Sequence, residues 1–226
     1  MKKILLLSAF FIITSNVFSQ GVRIGLNFSP GLAFNNATET TTSNPHLYSL
    51  STAGKGSGFR FIGGPEIYFF LGNQFAITTG VWYAAMREGF TYTSNGVKAT
   101  AVYNLQYLQL PVTMRMFTNE IMTNTRIYFQ LGGAFDIKLA AKNYKVDSLA
   151  STVITKFRPF DASLILGTGL EFKLGESNYL MLGVRYTRGL INSVTKVNPD
   201  VLAPFSNVTA IKSTANLFSL DVGIRF

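Results

Sequence analysis

The sequence predicts an all-β fold, an eight-stranded antiparallel up-and-down β-barrel that crosses a membrane. Three observations predict it. The 226-residue chain is apolar, with 47% hydrophobic residues, a mean hydropathy of +0.24 and only 14% charged residues, where soluble chains carry roughly 25%. It nevertheless lacks the run of roughly 18 or more apolar residues that a helical span requires. Its apolar residues instead recur at every second position, in segments of about ten residues, which is the period of a strand. Backbone groups in lipid must be paired within the protein, so excluding helices leaves a closed barrel as the spanning structure.

Residues 1–20 read as a secretory signal and residues 21–226 as the barrel domain. Lys2 and Lys3 supply a positive start and Ile4 to Ile13 a short apolar stretch. "TSNVFSQ" follows, with cleavage expected near Gln20. The chain has no cysteine, so no disulfide holds the fold and no cysteine-linked lipid anchors it.

The expected strands are 22–32, 59–70, 75–91, 100–117, 126–142, 159–174, 179–190 and 214–226. The last is the most regular. Phe218, Leu220, Val222, Ile224 and Phe226 are apolar, while Ser219, Asp221, Gly223 and Arg225 are small or charged. "YLQLPVTMRMF" sets Leu108, Leu110, Val112, Met114 and Met116 against Gln109, Thr113 and Arg115. In 126–142, Ile127, Phe129, Leu131, Phe135, Ile137 and Leu139 alternate with Gln130, Gly132, Ala134, Asp136 and Lys138. The sixth segment opposes Leu164, Leu166, Leu170 and Phe172 to Ser163, Gly167, Gly169, Glu171 and Lys173. The seventh opposes Leu180, Leu182, Val184 and Tyr186 to Gly183, Arg185 and Thr187.

Connections after the first, fifth and seventh strands are long and polar. Those after the second ("LGNQ"), fourth ("TNEIMTNT") and sixth ("GESN") are shorter. Short periplasmic turns and longer extracellular loops are the outer-membrane pattern, and an even strand number puts both termini on the periplasmic side. Aromatics gather near the strand ends, as at Phe69, Phe70, Phe75, Phe117 and Tyr179, where an interfacial girdle belongs.

The polar faces are rich in Gly, Ala, Ser and Thr, which suits a narrow lumen, and eight strands leave room only for their own side chains. A packed polar plug is therefore expected inside. The soluble alternative is a lipocalin-like barrel with an apolar, ligand-holding interior. It would have to turn the Gly/Asp/Arg face outward.

The motifs "YLQLPVTMRMF", "LGGAFDIKLAAK", "LILGTGLEFKL", "GVRYTRGLINS" and the terminal "VGIRF", in this order, resemble the PorT-like outer-membrane β-barrel family, small OmpA-like barrels of Gram-negative bacteria. The resemblance implies an outer-membrane location, outer-membrane lipid as the surroundings, and the barrel-assembly machinery as a partner that reads the terminal aromatic, Phe226. It further implies a structural or interaction role, displayed through extracellular loops or as an accessory component of a secretion machine with a protein partner in the outer membrane. A small-solute channel and a lipid-modifying enzyme are the alternatives.

Catalytic chemistry has few residues to use, and no enzyme is expected. The single histidine, His46, sits beside Ser43 and Ser49 in a Ser/Thr-rich loop, where a solvated side chain is the ordinary outcome. With one histidine, no cysteine and dispersed carboxylates, no metal or other cofactor is expected. "AGKGSGF" (Ala53 to Phe59) lacks the phosphate-loop spacing and no helix follows it. The +9 formal charge is scattered among apolar strands rather than clustered, so it suits a lumen and anionic headgroups, not nucleic acid. One constellation stands out. Glu171, Arg185 and Asp221 lie on the polar faces of three consecutive strands, at heights that differ by about 10 Å at most before stagger. A lumen charge cluster is expected there, with Arg185 contacting Asp221 and also Glu171.

Overall fold

A computed structural model of the chain describes residues 21–41, 48–51, 57–94, 97–146, 154–197 and 208–226. The expected leader, 1–20, lies outside them, as do Ser43 and His46. The strands, in chain order, are β1 (Val22–Thr41), β2 (Tyr48–Ser51), β3 (Gly58–Leu71), β4 (Phe75–Gly80), β5 (Trp82–Ser94), β6 (Val97–Phe117), β7 (Thr125–Val146), β8 (Ile154–Phe157), β9 (Phe160–Lys173), β10 (Tyr179–Gly189), β11 (Val194–Val197) and β12 (Val208–Arg225).

Antiparallel pairing runs from β1 through β12, β10, β9, β7 and β6 to β4 and β5, then to β3, and β3 returns to β1. The sheet therefore closes. At the seam Gly25 lies opposite Arg225 on one side and Glu66 on the other. The Phe226 amide donates to the Ile24 carbonyl at 2.9 Å, extending the ladder to the last residue.

β4 and β5 are one barrel strand. Pairing with β6 keeps its register from Thr79 opposite Val112 to Trp82 opposite Gln109. The interruption at Val81 falls where prolines approach from both neighbours, Pro65 on β3 and Pro111 on β6, and neither has an N–H to donate. Val81 still donates to the Pro65 carbonyl at 3.2 Å. Counting β4 and β5 together gives the eight expected spanning strands.

The alternation sorts the faces as the sequence predicts. Phe28, Val222, Leu182 and Leu170 form one lateral row across β1, β12, β10 and β9, and all four are exposed on the outer wall. Between them, inward side chains such as Asn27, Asp221 and Ser29 are buried. Such a belt is costly in water and favourable in lipid, and the lipocalin-like alternative, which needs the opposite sorting, fails on it.

The strands run further than expected at the end away from Val22 and Phe226, the end expected to be extracellular from the loop lengths. β1 reaches Thr41 rather than residue 32, β12 starts at Val208 rather than 214, and β7 ends at Val146. "NNATETT" shows no apolar alternation, yet it continues the ladder, with Asn35 opposite Ala215 and Thr38 opposite Lys212. Above the belt both faces can meet water, so pairing persists where the pattern that signals it is gone. Short strands also form inside the long connections: β2 pairs with the upper part of β5, and β8 with β11.

Leu182 lies within the apolar row, so an arginine there should cost about 2–4 kcal/mol if the row is near the midplane. Reversible unfolding of Leu182→Arg in bilayers measures it. A cost below about 1 kcal/mol would place the row at the interface instead.

Candidate functional site

The lumen holds the most concentrated chemistry of the described residues. Its lower, periplasmic half is built on seven strands. β3 contributes Glu66 and Tyr68, β6 Arg115, β10 Arg185, β12 Asp221, β1 Asn27 and Ser29, β7 Tyr128, and β5 Trp82. All are at most 5% exposed. Each sits at an inward position of its strand, so the alternation that builds the lipid belt also delivers these groups to the lumen.

The groups form a continuous chain of charges. Arg115 Nη2 lies 3.1 Å from Glu66 Oε2. Arg185 Nη2 lies 3.8 Å from Glu66 Oε1 and 2.7 Å from Asp221 Oδ1. The last contact is a close ion pair without the alignment of a hydrogen bond. The aligned bond from Arg185 runs instead from Nη1 to Asn27 Oδ1 at 3.0 Å. Asp221 also accepts from Asn27 Nδ2 at 2.5 Å, from Ser29 Oγ at 2.9 Å and from the Tyr128 hydroxyl at 2.9 Å. Tyr68 donates to Glu66 and accepts from Arg115 Nη1 at 2.6 Å. Aromatic faces cover the guanidinium planes: Arg185 lies 4.5 Å from the Trp82 ring centre, and Arg115 lies 5.0 Å from Tyr68. An isolated buried charge is prohibitive, and here each carboxylate meets an arginine and neutral donors as well, one for Glu66 and three for Asp221.

Glycine makes room for one of those donors. A Cβ on Gly183 would stand 2.5 Å from the Tyr128 hydroxyl, and one on Gly169 would stand 2.8 Å from its ring. The two glycines are cross-strand partners, so Tyr128 lies across a bare patch of wall and reaches Asp221 over it.

Beneath this chain a second cluster closes the periplasmic end. Glu171 on β9 receives a two-pronged contact from Arg225, with Nη1 at 2.7 Å from Oε2 and Nη2 at 3.3 Å from Oε1. Arg126 Nε adds a third contact at 2.6 Å. Arg225 rests on the rings of Tyr179, at 4.1 Å, and Phe70, at 4.7 Å.

The structure thus brings Arg185 and Asp221 together and does not bring Glu171 to them. The register gives the reason. Asp221 lies opposite Gly183, two residues below Arg185, whereas Glu171 lies opposite Met181, four residues below. Four residues are about 13 Å along a strand, beyond a guanidinium's reach. Glu66, Arg115, Arg126 and Arg225 were not singled out by sequence. Their inward parity was readable; which of them meet across the lumen depends on the shear of the closed barrel.

The upper half differs in kind. Ile62, Ala84, Met86, Phe90, Leu105, Ile165 and Leu217 pack there as a core. Gln109 Nε2 donates to Asp136 at 2.7 Å and to Ser163 at 3.0 Å, and Ser193 donates to Glu88 at 2.8 Å. A cavity of about 10 Å3 between Gln109, Asp136 and Asp161 is roughly the room one water needs. Among the described residues no group of three or more His, Cys, Asp or Glu side chains could hold a metal ion.

Comparisons with known proteins agree with this architecture. A family profile described as "Outer membrane protein beta-barrel domain" matches residues 18–195. No curated protein matches the chain. The solved structure of the outer membrane protein OprG from Pseudomonas aeruginosa superposes with a TM-score of 0.54 at 11% identity, covering 89% of this chain and 95% of that one. Neisserial surface protein A (NspA) gives a TM-score of 0.48 at 13% identity, covering 91% and 98%. At such identities the OprG likeness is one of fold alone.

Two side chains test the lumen chain. Arg185→Ala strands Asp221 and should destabilise the barrel by on the order of 3 kcal/mol. Asp221→Ala should cost much less in that background than alone. A double-mutant cycle read from heat-dependent gel mobility or bilayer unfolding supplies the coupling, and a value near zero would refute the pair's role.

Proposed function

The chain belongs to the outer membrane protein beta-barrel domain family, and on that premise we propose that it serves as a non-conducting outer-membrane barrel that acts through its extracellular strand extensions and loops. The observation that carries this reading is the filled lumen. Trp82, Tyr68, Arg115, Arg185, Tyr128, Phe90 and Leu105 are each less than 2% exposed and occupy successive levels of the interior. A conducting barrel keeps a wet path, and this interior instead holds ion pairs and a packed core. The extended upper parts of β1, β5, β6, β7 and β12 offer paired, polar edges above the belt, suited to a protein partner in or above the membrane. The resemblance to PorT-like barrels favours an accessory place in an outer-membrane secretion machine. The role proposed is not enzymatic.

Planar-bilayer recording tests the central claim. The folded chain should give no conductance steps, whereas shortening two plug residues together, Arg115→Gly with Arg185→Gly, should produce them if the barrel still closes. Steady conductance from the unaltered chain would favour the channel alternative. Co-purification from outer membranes should return a protein partner.

Phe226 is proposed as an assembly signal. Its ring is half exposed on the lipid side and its amide closes the β1–β12 seam. Phe226→Asp should lower the yield of heat-resistant folded barrel in cells several-fold more than Thr41→Asp at the far end of β1. Equal yields would remove the assignment.

A further inference from the structure

Arginines also occur outside the lumen, and around Asn104 two of them meet no carboxylate of the described residues. Arg87 on β5 lies directly opposite Asn104 on β6, and Asn104 lies directly opposite Lys142 on β7. Arg87 and Asn104 face outward, because their chain neighbours Met86, Glu88, Tyr103 and Leu105 are buried. Arg60 comes from the top of β3, above the Ile62–Ala84 level where β3 and β5 pair; its position has the inward parity of Ile62, and this face of β3 meets the outer face of β5, with Gly58 against Arg87 Nη1. Arg60 Nη2 donates to Asn104 Oδ1, and Arg87 Nε donates to the same atom at 3.1 Å. Arg60 Nη1 donates to its neighbour's carbonyl, Phe59 O, at 2.9 Å. Among the described residues no carboxylate lies within ion-pairing distance of Arg60, Arg87 or Lys142. Two guanidiniums thus crowd one neutral oxygen, and among the described residues no hydrogen bond takes the Nη groups of Arg87.

Height and surroundings identify what such a group would meet. On β6 the outward residues Leu108, Leu110, Val112, Met114 and Met116 belong to the apolar belt. Asn104 is four residues above Leu108, about 13 Å along the strand and roughly 10 Å along the membrane normal at a tilt of about 40°. That is just beyond the hydrocarbon, in the headgroup layer of the outer leaflet. Exposed aromatics flank it: Phe59 is 67% exposed, and Tyr144 is 62% exposed with its ring 4.2 Å from the Arg87 guanidinium. Aromatic rings at the interface anchor a lipid-facing surface. Outer-leaflet lipids of Gram-negative bacteria carry phosphate on a sugar headgroup, and a guanidinium fork matches phosphate in a two-pronged way that an ammonium does not.

We propose that Arg60, Arg87 and Lys142, gathered around Asn104, form a binding site for the phosphate of an outer-leaflet glycolipid. The proposal rests on the outer-membrane reading and adds a ligand to it. The phosphate takes the unspent donors of Arg87 and Arg60, Lys142 adds a third positive charge, and the acyl chains lie down the belt below. The site is external to the lumen and independent of its ion pairs.

The test uses the full chain refolded into phosphatidylcholine nanodiscs doped with bisphosphorylated lipid A or with the same lipid A stripped of phosphate. Native mass spectrometry counts lipid A retained per barrel along a dilution series. The phosphorylated lipid should be held at least about tenfold more tightly, since hydrogen bonds to charged groups are the strong ones. Arg60→Ala with Arg87→Ala should abolish the difference, and Arg60→Lys with Arg87→Lys should restore only part of it. Heat-dependent gel mobility should be unchanged in both variants, because neither side chain takes part in the lumen ion pairs; Arg87→Gln alone gives the same comparison with the smallest change. Equal retention of the two lipids, or an undiminished preference in the alanine variant, overturns the proposal. Displacement by inorganic pyrophosphate as effective as by lipid A would make it a site for free anions and overturn the lipid assignment. Failure to insert into any of these bilayers would overturn the barrel reading itself, a different result from insertion without phosphate preference.

Discussion

Glu66 is the group on which the interior depends. Its two oxygens look two ways, Oε2 toward Arg115 and Oε1 toward Arg185. Both arginines are fully buried, and neither could stay there unneutralised. Asp221 then takes the far side of Arg185, so the lower lumen becomes one alternating series of charges across β6, β3, β10 and β12. The two contacts of Glu66 tie β3 to β6 and to β10, which backbone pairing connects only through intermediate strands. A hydrophobic core would fill the same space with comparable stability. What the ionic core adds is register: a two-residue slip of β12 against β10 would move Asp221 about 7 Å along its strand and leave Arg185 only its longer contact with Glu66.

Closure at the periplasmic end follows the same logic with a different partner set. Glu171 is shared by Arg225 and Arg126, and the aromatic rings of Tyr179, Phe70 and Phe117 lie against the two guanidiniums. Arg225 is next to the chain end, on the strand that completes the barrel. Neutralising it therefore fixes the last strand against β9, past the intervening β10, while its backbone, with that of Phe226, fixes it against β1. The side-chain and backbone contacts of these two residues act on the same seam.

Period-two alternation was enough to read the number of spanning strands, the lipid face and the pairing of Arg185 with Asp221, because all three depend on parity and on short-range stagger. Three features were not readable for physical reasons. The continuation of β1 through "NNATETT" carries no pattern, since neither face there must be apolar. The break at Val81 needs Pro65 and Pro111 to arrive from two other strands. Height before stagger sets Glu171 near Arg185, but the turn "GESN" sets Glu171 opposite Met181, and Arg225 and Arg126 reach it first. The roles of Glu66 and Arg115 are of the same kind. Each is visible as an inward charge, and their meeting requires the closed barrel.

The same side chain then has two uses in this molecule, separated by one step of the strand. At an inward position an arginine is enclosed by protein, and the protein must supply its counter-charge, as Glu66, Asp221 and Glu171 do. At an outward position just above the belt the surroundings are lipid headgroups and water, and a carboxylate next to it would compete with whatever anion the membrane offers. Asn104 takes that place instead: it orients Arg60 and Arg87 through one neutral oxygen and leaves their charge uncancelled. Alternation along β5 shows the contrast within two residues, Arg87 outward without a described carboxylate partner and Glu88 inward, buried and bonded to Ser193. Facing, rather than residue type, decides whether a charge here holds the barrel together or remains available to the membrane around it.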